Sequence, residues 1–375
     1  YPPVPTRSCS FGLAYPVSTV RPSAVIVLAA GEGTRMRSTT PKVLHAIGGR
    51  SLLGHVLAAA EGLQPDHIAV VVRHAREAVA AHALEISPNV VVADQDEVKG
   101  TGRAAWCGLA ALEQHEALDG TVLVLAGDTP LLDSETLRGM LQAHADGGNA
   151  VTVLTTRVPD PTGYGRIVRV PGSGEISRIV EHRDATPAEL ELDEINTSVY
   201  AFDAAVLRSG LEQLQAGLAD GASTANAQGE VYLTDVVALA RDHGPVRAHE
   251  ISDSIIVEGV NDRVQLAALG AELNRRVLER WMRAGVSVVD PASTWVDVRV
   301  TLEQDVMLLP GVHLAGTTHV ASGASIGPDT TLTDTSVEAG ASVVRSHVAG
   351  SQIGEGVKVG PYTHLRTGTV LRERS

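Results

Sequence analysis

An apolar run, AVIVL, breaks after Leu28 into a loop reading AAGEGTRMRSTTPKVL. Gly31 and Gly33 let backbone amides approach a ligand closely where a strand gives way to a loop. Arg35 and Arg37 follow, then Lys42 just behind Pro41. Arginine offers a flat fork of donors that matches phosphate oxygens, and lysine offers a compact charge. The phosphates of a nucleotide suit this set best; solvated charges on a surface turn are the bland alternative. The glycine spacing is neither G-x-G-x-x-G nor G-x-x-x-x-G-K-[ST], which excludes the dinucleotide fingerprint and the P-loop. Asp128 closes a second apolar run, TVLVLAGD. A carboxylate at a strand end suits Mg²⁺, which takes one or two protein oxygens and completes its shell with phosphate and water. A simple turn former is the competing role for Asp128.

Such residues need a scaffold. From Ala24 to about Ser252, continuous β-rich runs (AVIVLAA, HIAVVVR, NVVVAD, TVLVLAGD) alternate with the helical segments SLLGHVLAAAEGL and GTGRAAWCGLAALEQH. Runs without polar alternation fit strands covered on both faces, and the alternation predicts right-handed crossovers in a Rossmann-like, mostly parallel α/β domain. Ligands in such folds sit at the carboxyl ends of strands, where both AAG and AGD fall. Leu266, Leu269, Leu273, Val277 and Trp281 then mark one face of a long helix. Asn261 or Asp262 would cap it and Gly285 would end it.

After Gly285 the helical period vanishes. Leu314, Val320, Ile326 and Leu332 recur every six residues, and after a slip so do Ile353, Val359, Leu365 and Leu371. A six-residue period gives one inward side chain per short strand and three strands per coil, the pattern of a parallel β-helix. The expected organisation is an irregular tail over 1–23, an α/β domain over 24–252, a helical linker over 253–285 and a partial β-helix over 286–375. With no closing cap visible at TVLRERS, truncation or an edge completed by another subunit is expected.

The formal net charge of −14 argues against a general nucleic-acid binder, so positive charge must be concentrated locally. Cys9 and Cys107 are the only cysteines, which makes a disulfide framework or zinc site improbable, and Cys107 is expected to be a packed thiol. No apolar stretch reaches the ~20 residues that cross a bilayer. The five prolines in the first 23 residues do not make a signal peptide, so a soluble cytoplasmic protein is expected. His45, His55 and His182 have no metal-ligand spacing and are expected to be packed or on the surface.

LAAGEGTRMRSTTPKVL resembles the signature of sugar-1-phosphate nucleotidyltransferases. QDEVKGTGRA, AGDTPLL, PTGYGRIVR, IVEHRDAT, EINTSVYAFD, YLTD and EGVNDRVQL follow in order, with the hexapeptide repeats behind. Together they are similar to the bacterial enzymes that join N-acetylglucosamine-1-phosphate uridyl transfer to glucosamine-1-phosphate acetyl transfer, from about Ala24 to about Leu371. The resemblance implies that UTP and N-acetylglucosamine-1-phosphate give UDP-N-acetylglucosamine and pyrophosphate. It implies that Leu28, Ala29, Ala30 and Gly31 frame the uracil, that Gln95, Gly100 and Thr101 read its edge, and that Arg35 and Lys42 neutralise the triphosphate. It implies that Ala126, Gly127 and Asp128 also bind the nucleotide, that Asp128 and Asn261 are the Mg²⁺ ligands, and that Gly165, Glu181 and Asn196 hold the sugar. Three positions depart from the family pattern: Ser198 stands where glycine is usual, Arg103 where histidine is common, and Ala126 where a larger residue is frequent.

The resemblance also implies a left-handed β-helix that assembles as a homotrimer, binds acetyl-coenzyme A between coils and contacts sugar phosphate through Arg366, although Thr367 replaces the usual proline. No base for attack on a thioester is identifiable, so uridyl transfer without acetylation is expected. Two rivals are a glucose-1-phosphate adenylyl- or thymidylyltransferase and a non-catalytic regulatory subunit of the same fold.

Overall fold

The computed structural model describes residues 20–114, 116–219 and 229–372. Cys9 and the tail up to residue 19 lie outside them.

The first half runs β1 (Ala24–Leu28), β2 (Ala46–Ile47), β3 (Arg50–Ser51), α1 (Leu52–Glu61), β4 (His67–Val72), α2 (Arg76–Ile86), β5 (Val91–Asp94), α3 (Thr101–Leu112) and β6 (Thr121–Ala126). It continues with α4 (Ser134–Gly147), β7 (Val151–Arg157), β8 (Arg166–Arg169), β9 (Ile176–Val180), α5 (Pro187–Leu190), β10 (Glu194–Asp203), α6 (Ala204–Ala219), α7 (Leu233–Leu239) and β11 (Val246–Ile251). The main sheet has the order β11-β7-β10-β6-β1-β4-β5. Pairing is parallel except at β10, which runs antiparallel to β6 and β7 and carries the β8–β9 hairpin on its flank.

β1 explains the unbroken apolar runs. Its Ala24 and Ile26 enter a core shared with α3, α6 and α7, while Val25 and Val27 enter one shared with α1, α2 and α4. Both faces are covered, so no position along the strand can be polar. Each buried aliphatic contributes about 1.5–3 kcal/mol, which makes this five-residue strand a rigid platform for the loop that follows it.

α8 (Arg263–Arg283) is the expected long helix. Asp262 is the cap: its carboxylate accepts from the Val264 and Gln265 amides, both at 2.9 Å. That leaves the Asn261 side chain to face elsewhere. Gly285 (φ +97°) follows the helix end.

Beyond it, three five-stranded parallel sheets wind as a left-handed β-helix. The inward series begins earlier than the sequence pattern showed, at Val296, Leu302 and Leu308, all buried. Between Leu332 and Ile353 it continues through buried Val337, Val343 and Val348. Three of the four steps there are five residues long, which is the slip seen in the sequence. No helix among the described residues is long and apolar enough to cross a membrane.

Candidate functional site

Two loops meet where β1 and β6 end. In the first, Gly33 takes φ +62°, and a Cβ there would lie 2.6 Å from the Cβ of Lys42. This glycine is therefore required for close approach of the loop to its own far end, which brings Lys42 back over the strand terminus. A Cβ on Gly31 would meet nothing within 4 Å, so this glycine opens space instead. In the second loop, Gly127 donates to the Leu28 carbonyl at 2.9 Å and a Cβ would come equally near that oxygen. Its role is to let the two strand ends touch; it is buried and lines neither cleft described below.

Lys42 forms an ion pair with Asp128, with side chains only 15% and 19% exposed. The Arg35 guanidinium donates to Asn261 Oδ1 at 2.7 Å. Val260 donates to the Asp128 carbonyl at 3.0 Å, tying the segment before α8 to the β6 loop. Four residues spread from 35 to 261 thus form one cluster. The Lys42 charge is matched by Asp128, which keeps that part-buried carboxylate from costing the several kcal/mol of an unpaired ion, while Arg35 meets only a neutral amide and leaves the cluster with a surplus positive charge.

Two adjoining clefts open on this cluster. One, about 500 Å³, is walled by Leu28, Ala29, Ala30, Gly31, Lys42, Gln95, Gly100, Thr101, Ala126 and Asp128. The other, about 300 Å³, is walled by Arg35, Asn196 and Asn261 and, among others, by Tyr164 and Gln265. Ala126, Asp128 and Ser198 belong to both walls.

In the larger cleft the Gln95 amide nitrogen donates to the carbonyls of Val98 (2.9 Å) and Gly100 (3.3 Å), fastening the turn and leaving its carbonyl oxygen as what it can offer a ligand. Gly100 takes φ +116°, and a Cβ there would fall 2.1 Å from the Val231 carbonyl. Thr101 lines the cleft, but its hydroxyl oxygen accepts from the Leu233 amide at 3.0 Å, so it holds α7 in place. Sequence reasoning missed Arg73 and Lys99, which flank Glu32 at 3.2 and 3.4 Å on the same wall. Lys99 sits inside QDEVKGTGRA and Arg73 ends HIAVVVR, but neither stretch singled out its charge.

Gly165, Glu181 and Asn196 converge. A Cβ on Gly165 would touch the Asn196 Cβ at 3.4 Å and Glu181 Oε1 at 3.5 Å. Burial, reinforced by Asp184 and Asp235, pushes the Glu181 carboxyl above the usual carboxylate range. The Asn196 amide nitrogen donates to the Tyr200 hydroxyl at 2.7 Å, and its oxygen accepts from the Ser198 amide at 3.2 Å. Ser198 takes φ +61°, at an irregularity where β10 slips its register against β7. That conformation explains why glycine suits the position.

Other expectations are corrected or sorted by their surroundings. Arg37 is exposed and lines neither cleft, although the sequence set it beside Arg35. Arg366 is exposed on the last coil of the β-helix, away from both clefts. Arg103 holds Asp96 at 3.0 and 3.1 Å and also Gln215, bracing the turn that carries Gln95. His55 bonds the Ile47 carbonyl at 2.9 Å and is packed. Burial raises the Cys107 thiol, in keeping with an inert, partly buried side chain. Among the described residues no three His, Cys, Asp or Glu side chains group as metal ligands.

Residues 25–186 match the MobA-like NTP transferase domain family. The chain is 55% identical over 356 residues to the bifunctional protein GlmU of Paenarthrobacter aurescens, covering 95% of this chain and 70% of that one. It is 56% identical to the protein of that name in Rhodococcus opacus, with 93% and 69% covered. Against the one in Streptomyces coelicolor the identity is 52%, with 96% and 73% covered.

Proposed function

The chain belongs to the family of bifunctional GlmU proteins, and on that premise we propose that it transfers UMP from UTP to N-acetylglucosamine-1-phosphate. A sugar-phosphate oxygen forms a bond to the α-phosphorus as the bond to the departing pyrophosphate breaks. Both reactants are anions, so positioning and cations dominate over acid–base chemistry. Lys42 and Arg35, held in the free protein by Asp128 and Asn261, exchange those partners for phosphate oxygens when substrates enter. Gln95, on the turn braced by Arg103, presents an amide oxygen to the uracil edge, and the backbone of Leu28–Gly31 lies along the base. Glu181 and Asn196 accept from sugar hydroxyls, and Gly165 leaves room for the N-acetyl group.

Asp128 and Asn261 are the residues that would hold Mg²⁺. Two oxygen donors of this hardness fit that ion, and a Cβ on Gly259 would touch the Asp128 carboxylate at 3.5 Å, so the glycine leaves that side of it uncovered. Bound there, the ion would neutralise charge on the polyphosphate. The division of labour we propose gives uridyl transfer to residues 24–252, a linker to 253–285 and an acetyltransferase-type, trimer-forming β-helix to 286–375. Acetyl-coenzyme A and Arg366 belong to that last part, and the compartment is the cytoplasm.

The observation that carries the reading is the shared wall at Asp128, which joins the cleft of Lys42 to that of Arg35 and Asn261. Pyrophosphate release from UTP and N-acetylglucosamine-1-phosphate in Mg²⁺ tests it, with Asp128→Ala as control. Mg²⁺-dependent release that is lost in the variant is expected. A preference for ATP or dTTP would overturn the substrate assignment, and no release from any nucleotide would overturn the activity.

A further inference from the structure

A third cleft, of about 520 Å³, lies away from the Lys42–Asp128 cluster, where α1 and α2 face the first coil of the β-helix. Arg50 and Arg299 stand on its wall, and among the described residues neither guanidinium has a hydrogen-bond or ion-pair partner. Burial and the charge of Arg299 push the Arg50 guanidinium below its ordinary range, with Glu61 acting in the opposite direction. Two like charges turned to one space, both without a carboxylate in contact, are stabilised by an anion. The remaining polar groups are Ser51, His82, Glu61 and Glu85. The Ser51 hydroxyl is taken by the Gly54 amide (2.9 Å) and His82 (2.7 Å), and Glu61 accepts from the Ser87 hydroxyl at 2.5 Å. The wall thus carries two carboxylates as well as two arginines, which suits a ligand that is anionic at one end and a hydrogen-bond donor at the other.

The geometry points to a binding site for a small phosphate monoester bearing hydroxyl groups, its phosphate between Arg50 and Arg299 and its hydroxyls against Glu61 and Glu85. Such a ligand would clamp the catalytic half to the β-helix. Arg299 follows Val298, whose amide donates to the Gly48 carbonyl at 3.0 Å, and Arg50 follows Lys42 by eight residues.

Calorimetric titration of the full chain with glucose 6-phosphate, and separately with inorganic phosphate, tests this. Saturable binding of the ester is expected, with inorganic phosphate weaker because it does not reach the carboxylates. Arg50→Gln and Arg299→Gln should each weaken the ester roughly tenfold or more, the loss of a charge-assisted pair. Lys42→Ala should leave its affinity unchanged. Arg299 is exposed, so its variant keeps the test intact even where Arg50→Gln fails to fold. No saturable binding, unchanged affinity in Arg299→Gln, equal affinity for inorganic phosphate, or an equal loss in Lys42→Ala would each overturn the proposal.

Discussion

Lys42 and Asp128 hold each other in the free protein, and each has a different partner in the proposed reaction. In the proposed reaction the lysine is thus a stand-in for the metal that Asp128 would hold, and the two would compete for one carboxylate. Replacing Lys42 by alanine removes a cation from the triphosphate and should lower turnover by roughly 100- to 1000-fold, the scale seen when one donor to a charged transition state is removed. The same variant should bind Mg²⁺ or Mn²⁺ more tightly than the parent when no nucleotide is present, because no other cation among the described residues pairs with Asp128. Calorimetry with Mn²⁺ checks this; unchanged or weaker metal binding would mean that Asp128 is not the ligand. Glu181 gives a pH signature. Its carboxyl is raised by burial and by Asp184 and Asp235, so the folded protein favours the protonated form. Below the ordinary carboxylate range both folded and unfolded chains are protonated and nothing is lost. As pH rises through the raised value, the folded state alone bears an unfavourable charge. Glu181→Gln should therefore raise Tm at pH 8 more than at pH 4.5 while weakening sugar-phosphate binding. An equal shift at both pH values would show that the carboxylate is not strained by its surroundings.

Elements were legible where a local pattern determines them. β1, β4, β5 and β6 read as continuous apolar runs because helices cover both faces of the sheet, and their ends pointed to Gly31 and Asp128. The antiparallel course of β10 was not legible, since strand direction is set by pairing across the sheet and leaves no periodic trace. The inward series of the β-helix was visible only where its step is six; Val337, Val343 and Val348 hide behind steps of five. Site residues followed the same rule. Those in the glycine loop announced themselves by spacing, while Arg73, Lys99 and Tyr164 reach the clefts only through tertiary packing. Ser198 lies between these cases, because EINTSV pointed to an unusual residue and only the structure supplied the reason. A non-glycine residue in the left-handed region is disfavoured by about 1–2 kcal/mol, partly offset by the extra freedom glycine has when unfolded, about 0.5–1 kcal/mol. Ser198→Gly should thus stabilise the chain by about 0.5–1 kcal/mol in urea denaturation. A loss of stability would show that the serine hydroxyl, which lies beside Tyr200, matters more than the backbone.

At the scale of the whole molecule, the two halves are joined beside the loop that carries Lys42. The β2–β3 hairpin, which begins four residues after Lys42, turns at Gly48 and Gly49 directly against the β-helix. Gly49 takes φ +72°, and a Cβ on it would lie 2.2 Å from Asp297 Oδ2. Asp297 is not free to yield, since that oxygen accepts from the Gly316 amide at 2.8 Å. Asn274 of α8 adds a buried lock on the same coil, donating to the Thr294 carbonyl at 2.8 Å and accepting from the Val296 amide at 3.0 Å. Gly49→Ala should therefore drive the hairpin off the first coil. Gly172 provides the comparison: it has φ +79° and nothing within 4 Å of an added Cβ, so Gly172→Ala bears only the conformational penalty, about 1 kcal/mol. Gly49→Ala bears the same penalty plus displacement of a hydrogen-bonded carboxylate, worth a further ~1–3 kcal/mol. Because the displaced hairpin continues into the segment that carries Lys42, the variant should also raise KM for UTP, while Gly172→Ala leaves it alone. Urea denaturation and steady-state kinetics on the two variants separate these contributions. Equal stability losses, or an unaltered KM in Gly49→Ala, would mean that the junction between the halves carries no strain to the nucleotide cleft.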